Sequence, residues 1–184
     1  MSKARIQLMR KYSLKTIFVR AKAGEKTRGW LVAGAITLPV ALGRSGIKAN
    51  KREGDGGTPR GNFRLRRLWW RADRHNRPMT QLPSRRIRPD DGWCEDPTDR
   101  HYNQPVKVPP GSKADRLRRE DALYDFIIEI DHNIRPRIAG RGSAVFVHVA
   151  RPGFAPTAGC VALKTDALKR LLERVGPRTR IVIG

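Results

Sequence analysis

At 184 residues the chain is long enough to bury a sizeable core as one ordinary domain, without metal ions or disulfide staples. Lysine and arginine number 39 against 17 aspartates and glutamates, and the formal net charge of +22 concentrates any anionic partner around the surface, whether nucleic acid, acidic headgroups or a carboxylate-rich polymer. No stretch reaches the about 18 consecutive apolar residues of a spanning helix, and two cysteines rule out a disulfide framework.

Residues 1–14 read as a loose basic arm with no apolar segment and cleavage site behind it, so by sequence alone the chain is expected to be soluble, unprocessed and cytoplasmic. Residues 15–184 read as a single domain. Thr16-Ile17-Phe18-Val19 predicts a first strand and Gly29 to Leu38 a second. The Gly- and charge-dense stretch from Gly43 to Gly61 predicts an extended loop, a place where function often resides. Gly61 to Leu68 alternates apolar and basic residues as a half-buried strand does, closed by Trp69 and Trp70. From Arg71 to Arg119 proline, arginine and aspartate dominate without periodicity, which predicts a long irregular insertion with short helical pieces.

Leu123 to Ile130 and Ser143 to Val149, rich in Ile, Val and Phe, are the clearest strands and are expected at the sheet centre. One helix is expected near the end. It has Thr165 as N-cap, Asp166 in the first turn, a stripe of Leu168, Leu171, Leu172 and Val175, and Gly176 and Pro177 as terminators. Arg180 to Ile183 makes a closing strand. With no internal repeat, the fold class is mostly β, a single domain with the C-terminal helix packed on it.

The chemistry points to two residues. Cys160 follows the loop Arg151 to Pro156 within Thr157-Ala158-Gly159-Cys160-Val161, and His148 ends the strand twelve positions earlier, so a returning loop can bring thiol and imidazole together. A free thiol is a few per cent ionised near neutrality, whereas an adjacent imidazolium lowers its pKa and holds a reactive thiolate. Gly159 removes bulk before the cysteine and permits unusual backbone angles, which favours oxyanion contacts from the backbone N–H groups of Gly159 and Cys160. Arg141 and Arg151 flank the site and are candidates for holding substrate carboxylates, with Thr157 beside them. The bland alternative makes Cys160 a small buried hydrophobe and His148 a satisfied strand-end histidine.

Rival readings remain open at this level. Arg64, Arg66, Arg67, Arg71, Arg74 and Arg77 interleave with Trp69 and Trp70 as in grooves that track a nucleic-acid backbone, which makes a non-catalytic nucleic-acid-binding protein the alternative. No zinc-finger spacing, ribonucleoprotein block or recognition helix accompanies them, so no specific nucleic acid is expected. Cys94, His101, His148 and Cys160 are zinc ligands by type but lack paired spacing, so no metal and no cofactor is expected. A Cys94–Cys160 bridge would silence the thiol.

The stretch FVHVARPGFAPTAGCVAL resembles the signature of the L,D-transpeptidase (YkuD-type) catalytic domain, a histidine followed by a loop and a Ser/Thr-x-Gly-Cys-Val/Ile block. Upstream, Gly54-Asp55-Gly56-Gly57-Thr58-Pro59-Arg60-Gly61-Asn62-Phe63 resembles the same family's Thr-Pro-x-Gly-x-Phe turn and strand, which is read here as structural. The chain departs from the family at Ala158, where a histidine is common, and at Ala162, where an arginine is common. The resemblance implies a β-sandwich or β-barrel catalytic domain acting on peptidoglycan stem peptides or precursors as a monomer, in the periplasm or cell wall, with Cys160 as nucleophile and His148 as base. It also implies a backbone carbonyl, that of Val149, orienting the imidazole.

Overall fold

The computed structural model describes residues 13–109 and 115–184. The basic arm lies outside the described residues except for Ser13 and Leu14. Leu14 packs against the core, donating its N–H to Arg174 O at 2.9 Å and accepting from Thr179 Oγ1 at 2.6 Å.

The strands are β1 (Thr16–Lys22), β2 (Glu25–Ala33), β3 (Ile36–Ala41), β4 (Ile47–Lys48), β5 (Thr58–Pro59), β6 (Gly61–Trp70), β7 (Ser84–Arg86), β8 (Asp91–Trp93), β9 (Pro105–Lys107), β10 (Asp115–Arg116), β11 (Phe126–Ile130), β12 (Phe146–Val149), β13 (Val161–Leu163) and β14 (Arg180–Ile183). Among the described residues one α-helix, α1 (Thr165–Leu172), lies between the last two, and a single 3-10 turn, Pro152–Phe154, follows β12. A nine-stranded sheet runs β11-β12-β13-β3-β2-β1-β14-β6-β7. Because β11 also pairs with β6, the sheet closes into a barrel and β7 hangs outside the ring. The mostly β fold with a single late helix is therefore as expected, and the barrel alternative is the one adopted.

The period-2 pattern explains the closure. Ile17 and Val19, Leu31 and Ala33, Phe126 and Ile128, Val145, Val147 and Val149, Val161 and Leu163, and Ile181 and Ile183 all fall in one buried cluster, the barrel interior. Leu168, Leu171 and Leu172 of α1 join the same cluster. A second cluster forms from the opposite parity: Trp69, Ile127, Phe146 and Cys160 are covered by Ile87, Trp93 and Leu117 of the insertion. The insertion is thus a lid on the outer face of β6, β11 and β12.

Several sequence expectations need correction. Gly29 to Leu38 reads as one strand but holds parts of two, because the chain turns at Gly34, whose φ of 66° is costly for residues with a Cβ. The Gly43–Gly61 loop contains the parallel pair β4–β5. The insertion forms strands, β8 flanked by β9 and β10, and no helix among the described residues. Its aspartates favour turns over helix: Asp96 accepts from Thr98 N–H and Asp99 from His101 N–H. β11 and β12 are not a sheet centre, since a closed ring has none. Lys164, not Thr165, caps α1, with no side-chain capping bond, and the helix ends at Leu172 with Glu173 as C-cap, before Gly176 and Pro177. Trp69 and Trp70 are 0% and 5% exposed, so they are core side chains and offer no stacking surface to a nucleic acid.

Trp93 holds the lid in place. It makes edge contacts with Trp69 and Phe146 at ring separations of 6.5 and 5.0 Å and donates its indole N–H to Asn103 Oδ1 at 3.0 Å. Trp93→Ala is expected to lower unfolding free energy by about 3–5 kcal/mol, measured by denaturant titration; a loss under about 1 kcal/mol would mean the lid contributes little.

Candidate active site

β12 and β13 run parallel, with Val147 opposite Val161 and His148 opposite Ala162. Since the valines point into the barrel, His148 and Cys160 lie on the outer face, and both line one cavity of about 410 Å³. Cys94 lines a different cavity, and both cysteines are free thiols, which removes the bridge considered above. Among the described residues no group of three or more His, Cys, Asp or Glu side chains is arranged to hold a metal ion.

The thiol is held by two backbone groups. Phe146 N–H donates to Cys160 Sγ at 3.3 Å, and Sγ donates to Ala144 O at 3.2 Å. Ala144 has a φ of 49°, a left-handed conformation that costs an L-residue of order 1–3 kcal/mol unless its surroundings enforce it. Buried Asn103 from the insertion supplies that enforcement, accepting Ala144 N–H on Oδ1 at 3.1 Å and donating from Nδ2 to His132 O and Asn133 O. Next to it, Tyr102 accepts Gly142 N–H at 3.0 Å and donates to Glu53, which also accepts from Ser143 Oγ at 2.7 Å.

His148 Nδ1 is 2.8 Å from Val149 O. A carbonyl only accepts, so Nδ1 carries the proton and Nε2 of the neutral ring keeps its lone pair. Burial pushes the imidazole down to about 4 and the thiol up to about 12, so at neutral pH the free protein holds an uncharged imidazole and an uncharged thiol. A resting thiolate–imidazolium pair is expected from the sequence; burial of both groups favours the neutral pair instead. Tyr124 packs edge-on against His148 at 5.5 Å, and burial raises its phenol well above 10.

The Gly159 expectation changes. Gly159 donates its N–H to Thr157 Oγ1 at 3.1 Å, and the same hydroxyl donates to Cys160 O at 2.7 Å. The Gly159 N–H is spent inside the loop and offers nothing to an oxyanion, while Thr157 staples the loop and also lines the cavity. Gly159 has a φ of 147°, and a Cβ there would lie 2.8 Å from Gly57 O, so glycine is required by backbone angle and by close approach of the Gly43–Gly61 loop. Thr58, fully buried, completes that junction by accepting Gly43 N–H at 2.8 Å. The two distant motifs therefore meet in space.

Of the two arginines proposed for carboxylates, Arg151 lines the cavity, whereas Arg141 is exposed on another loop and offers its carbonyl to His132. Sequence reading missed Arg44, Arg119, Tyr124, Glu95 and Asp115, which also line the cavity. Arg119 is fixed by a bidentate pair with Asp121 at 2.9 and 2.8 Å and sits 5.2 Å over the Tyr124 ring. Crowding around its carboxyl, with the Asp115 and Glu53 charges, raises Glu95 to about 7, and burial raises Asp115. Four of these lie in loops and Asp115 opens the short strand β10, all without motif spacing, so only the cavity reveals them.

A family model, YkuD, the L,D-transpeptidase catalytic domain, matches residues 17–183. The chain belongs to the L,D-transpeptidase catalytic-domain family. Among solved structures, Mycobacterium tuberculosis L,D-transpeptidase 1 is similar at 13% identity and a TM-score of 0.38, over 91% of this chain and 61% of that one, so this member of the family spans under two thirds of that protein's length. No curated protein matches. The family acts on peptidoglycan, and among the described residues of this L,D-transpeptidase-family chain no helix is long and apolar enough to cross a membrane.

The protonation states can be tested directly. In a Cys94→Ala background, iodoacetamide alkylation of Cys160 is expected to be slow at pH 7 and to climb with pH toward the thiol's value of about 12. A rate already level between pH 5 and 8 would show a resting thiolate. Asn103→Ala is expected to release Ala144 from its left-handed conformation and shift that alkylation profile while the protein stays folded by circular dichroism; an unchanged profile would mean Asn103 does not position the thiol.

Proposed function

We propose that the protein is a cysteine acyltransferase acting on peptidoglycan stem peptides. The observation that carries this reading is the orientation of His148, whose Nδ1 is engaged by Val149 O while its ring lines the same cavity as the Cys160 thiol. Family membership supplies the substrate class.

In this mechanism Cys160 Sγ leaves Ala144 O as substrate enters and attacks the peptide carbonyl carbon at the L-centre of a diamino acid. The thiol proton passes to His148 Nε2, and the negative charge gathers on the carbonyl oxygen, where the Cys160 N–H donates to it. Collapse breaks the C–N bond, and Nε2 returns the proton to the departing amine of the terminal D-residue. The product is a thioester on Cys160. A second stem's side-chain amine or water then attacks, giving up its proton to Nε2, and the thiol is restored. Attack by the amine gives a crosslink; attack by water trims the stem.

Starting from two neutral groups has a consequence. The charges appear only during attack, in a cavity walled by Arg44, Arg119 and Arg151 and by Glu95 and Asp115. Fixed groups of both signs suit a peptide that carries carboxylates and an ammonium, the guanidiniums holding the former and the carboxyls the latter. The nucleic-acid alternative finds no such support, because its aromatic partners are buried.

Intact-mass measurement after incubation with a tetrapeptide stem or a carbapenem tests the assignment. One acyl adduct is expected on the wild type and none on Cys160→Ala, with His148→Ala slowed roughly 10²–10⁴-fold. An adduct that persists in Cys160→Ala would place the nucleophile elsewhere.

A further inference from the structure

Another cavity, of about 560 Å³, opens beside β6 and β7 and shares no lining residue with the thiol site. Its charged lining is Arg64, Arg66, Arg67, Arg85, Arg135 and one acid, Asp131. A surface with net charge +22 carries many arginines, so composition alone does not make a site. Here the arginines are held in place.

A β-bulge brings two of them together. Glu129 pairs with Arg67 and the next rung joins Ile130 to Leu65, which leaves Arg66 as an extra residue in β6. As a result Arg66 Nη1 reaches Glu129 Oε1 at 3.1 Å and Arg67 Nε reaches Oε2 at 3.2 Å, and Trp69 Nε1 also bonds Oε2 at 3.1 Å. Glu129 is 2% exposed, so a single buried carboxylate orients two half-exposed guanidiniums and leaves most of their N–H donors unused. Arg67 and Arg85 are steadied further by the Trp69 ring, at 5.7 and 4.5 Å from its centroid.

Of the remaining members, Arg85 is paired with buried Asp91 at 2.9 Å. Asp131 spends one oxygen on Arg64 N–H at 2.7 Å, and among the described residues the side chains of Arg64 and Arg135 form no ion pair. Arginine forks match phosphate oxygens in pairs, and a concave wall of low dielectric focuses their field. The volume is that of a small-molecule site, larger than one inorganic anion needs. No exposed aromatic ring lines it, which disfavours a stacked base.

We propose that this arginine cavity binds a small molecule through a phosphate or diphosphate group, with Arg66 and Arg67 as the pre-oriented pair and Arg64 and Arg135 closing on the anion. The site is separate from acyl transfer and stands or falls apart from it.

Calorimetric titration of the full chain with inorganic pyrophosphate, glucose 1-phosphate and citrate, at matched ionic strength, is the test. Saturable one-to-one binding is expected for pyrophosphate or the sugar phosphate, the stronger of the two telling a bare diphosphate from an ester, with citrate weaker by about tenfold. Arg64→Gln with Arg135→Gln, both at exposed positions, is expected to weaken binding about tenfold or more, while Arg20→Gln with Lys26→Gln, the same loss of charge elsewhere, changes it less than about twofold. Equal losses in the two double variants, citrate binding as tightly, a loss through Arg151→Gln instead, or absence of saturation would each overturn the proposal.

Discussion

The parity of two short strands governs the site. Val147 and Val149 on β12 and Val161 and Leu163 on β13 fill the barrel interior, so the intervening positions face outward, and the parallel register sets His148 and Cys160 on the same outer face. Burial of each valine or leucine stabilises by roughly 1.5–3 kcal/mol, and a slip of one residue would reverse every side chain on the strand. The apolar core thus fixes where the thiol and imidazole point. It also explains why the face beside them needs a cover, because Trp69, Ile127 and Phe146 share that outward parity and would otherwise meet water.

Covering the face alters the chemistry. The lid excludes water, and exclusion favours neutral forms, which moves the imidazole to about 4 and the thiol to about 12. A neutral thiol parked on Ala144 O is a poor nucleophile in the free protein and a protected one. Activation then depends on substrate arrival, when the proton is redirected toward Nε2. The Val149 carbonyl holding Nδ1–H stabilises the imidazolium that follows, and Tyr124 limits the ring's freedom.

How much of this was legible in the sequence depends on the range of each interaction. The strand at Thr16, the alternation in FVHV, and the leucine stripe of α1 are local patterns with a period, and each appears where the period places it. The Thr-Pro-x-Gly turn and the Gly-Cys pair were visible as separate motifs; their contact at Gly57 O and Gly159 is a tertiary fact that no spacing reports. Thr157 lines the cavity, as a hydroxyl near a nucleophile suggests, while its two bonds to Gly159 and Cys160, which also brace the loop, follow only from the folded backbone. Arg141 sat close in the chain but the loop it belongs to carries it away from the cavity, whereas Arg44 and Arg119, distant in sequence, arrive there. Cap and terminator residues of α1 misled for another reason: Lys164 takes the cap position with no side-chain bond, so helix placement follows the buried leucines rather than cap chemistry.

The insertion was the least readable segment, because nothing in it repeats and its bonds are to remote partners. Asp91 illustrates this. It is 2% exposed, accepts Arg88 N–H at 2.8 Å, and pairs with Arg85 at 2.9 Å and Lys107 at 3.0 Å, so one buried carboxylate ties the wall of the arginine cavity to the small sheet of β8, β9 and β10. Twelve residues on, Asn103 ties the same segment to Ala144 and so to the thiol. Trp93 lies between them, fastened to Asn103 and packed on Trp69, the ring that steadies Arg67 and Arg85. A charged, proline-rich sequence of this kind reads as solvated loop, but here its polar groups are satisfied inside the lid, and that satisfaction is what allows a segment so poor in apolar residues to stay closed over a hydrophobic face.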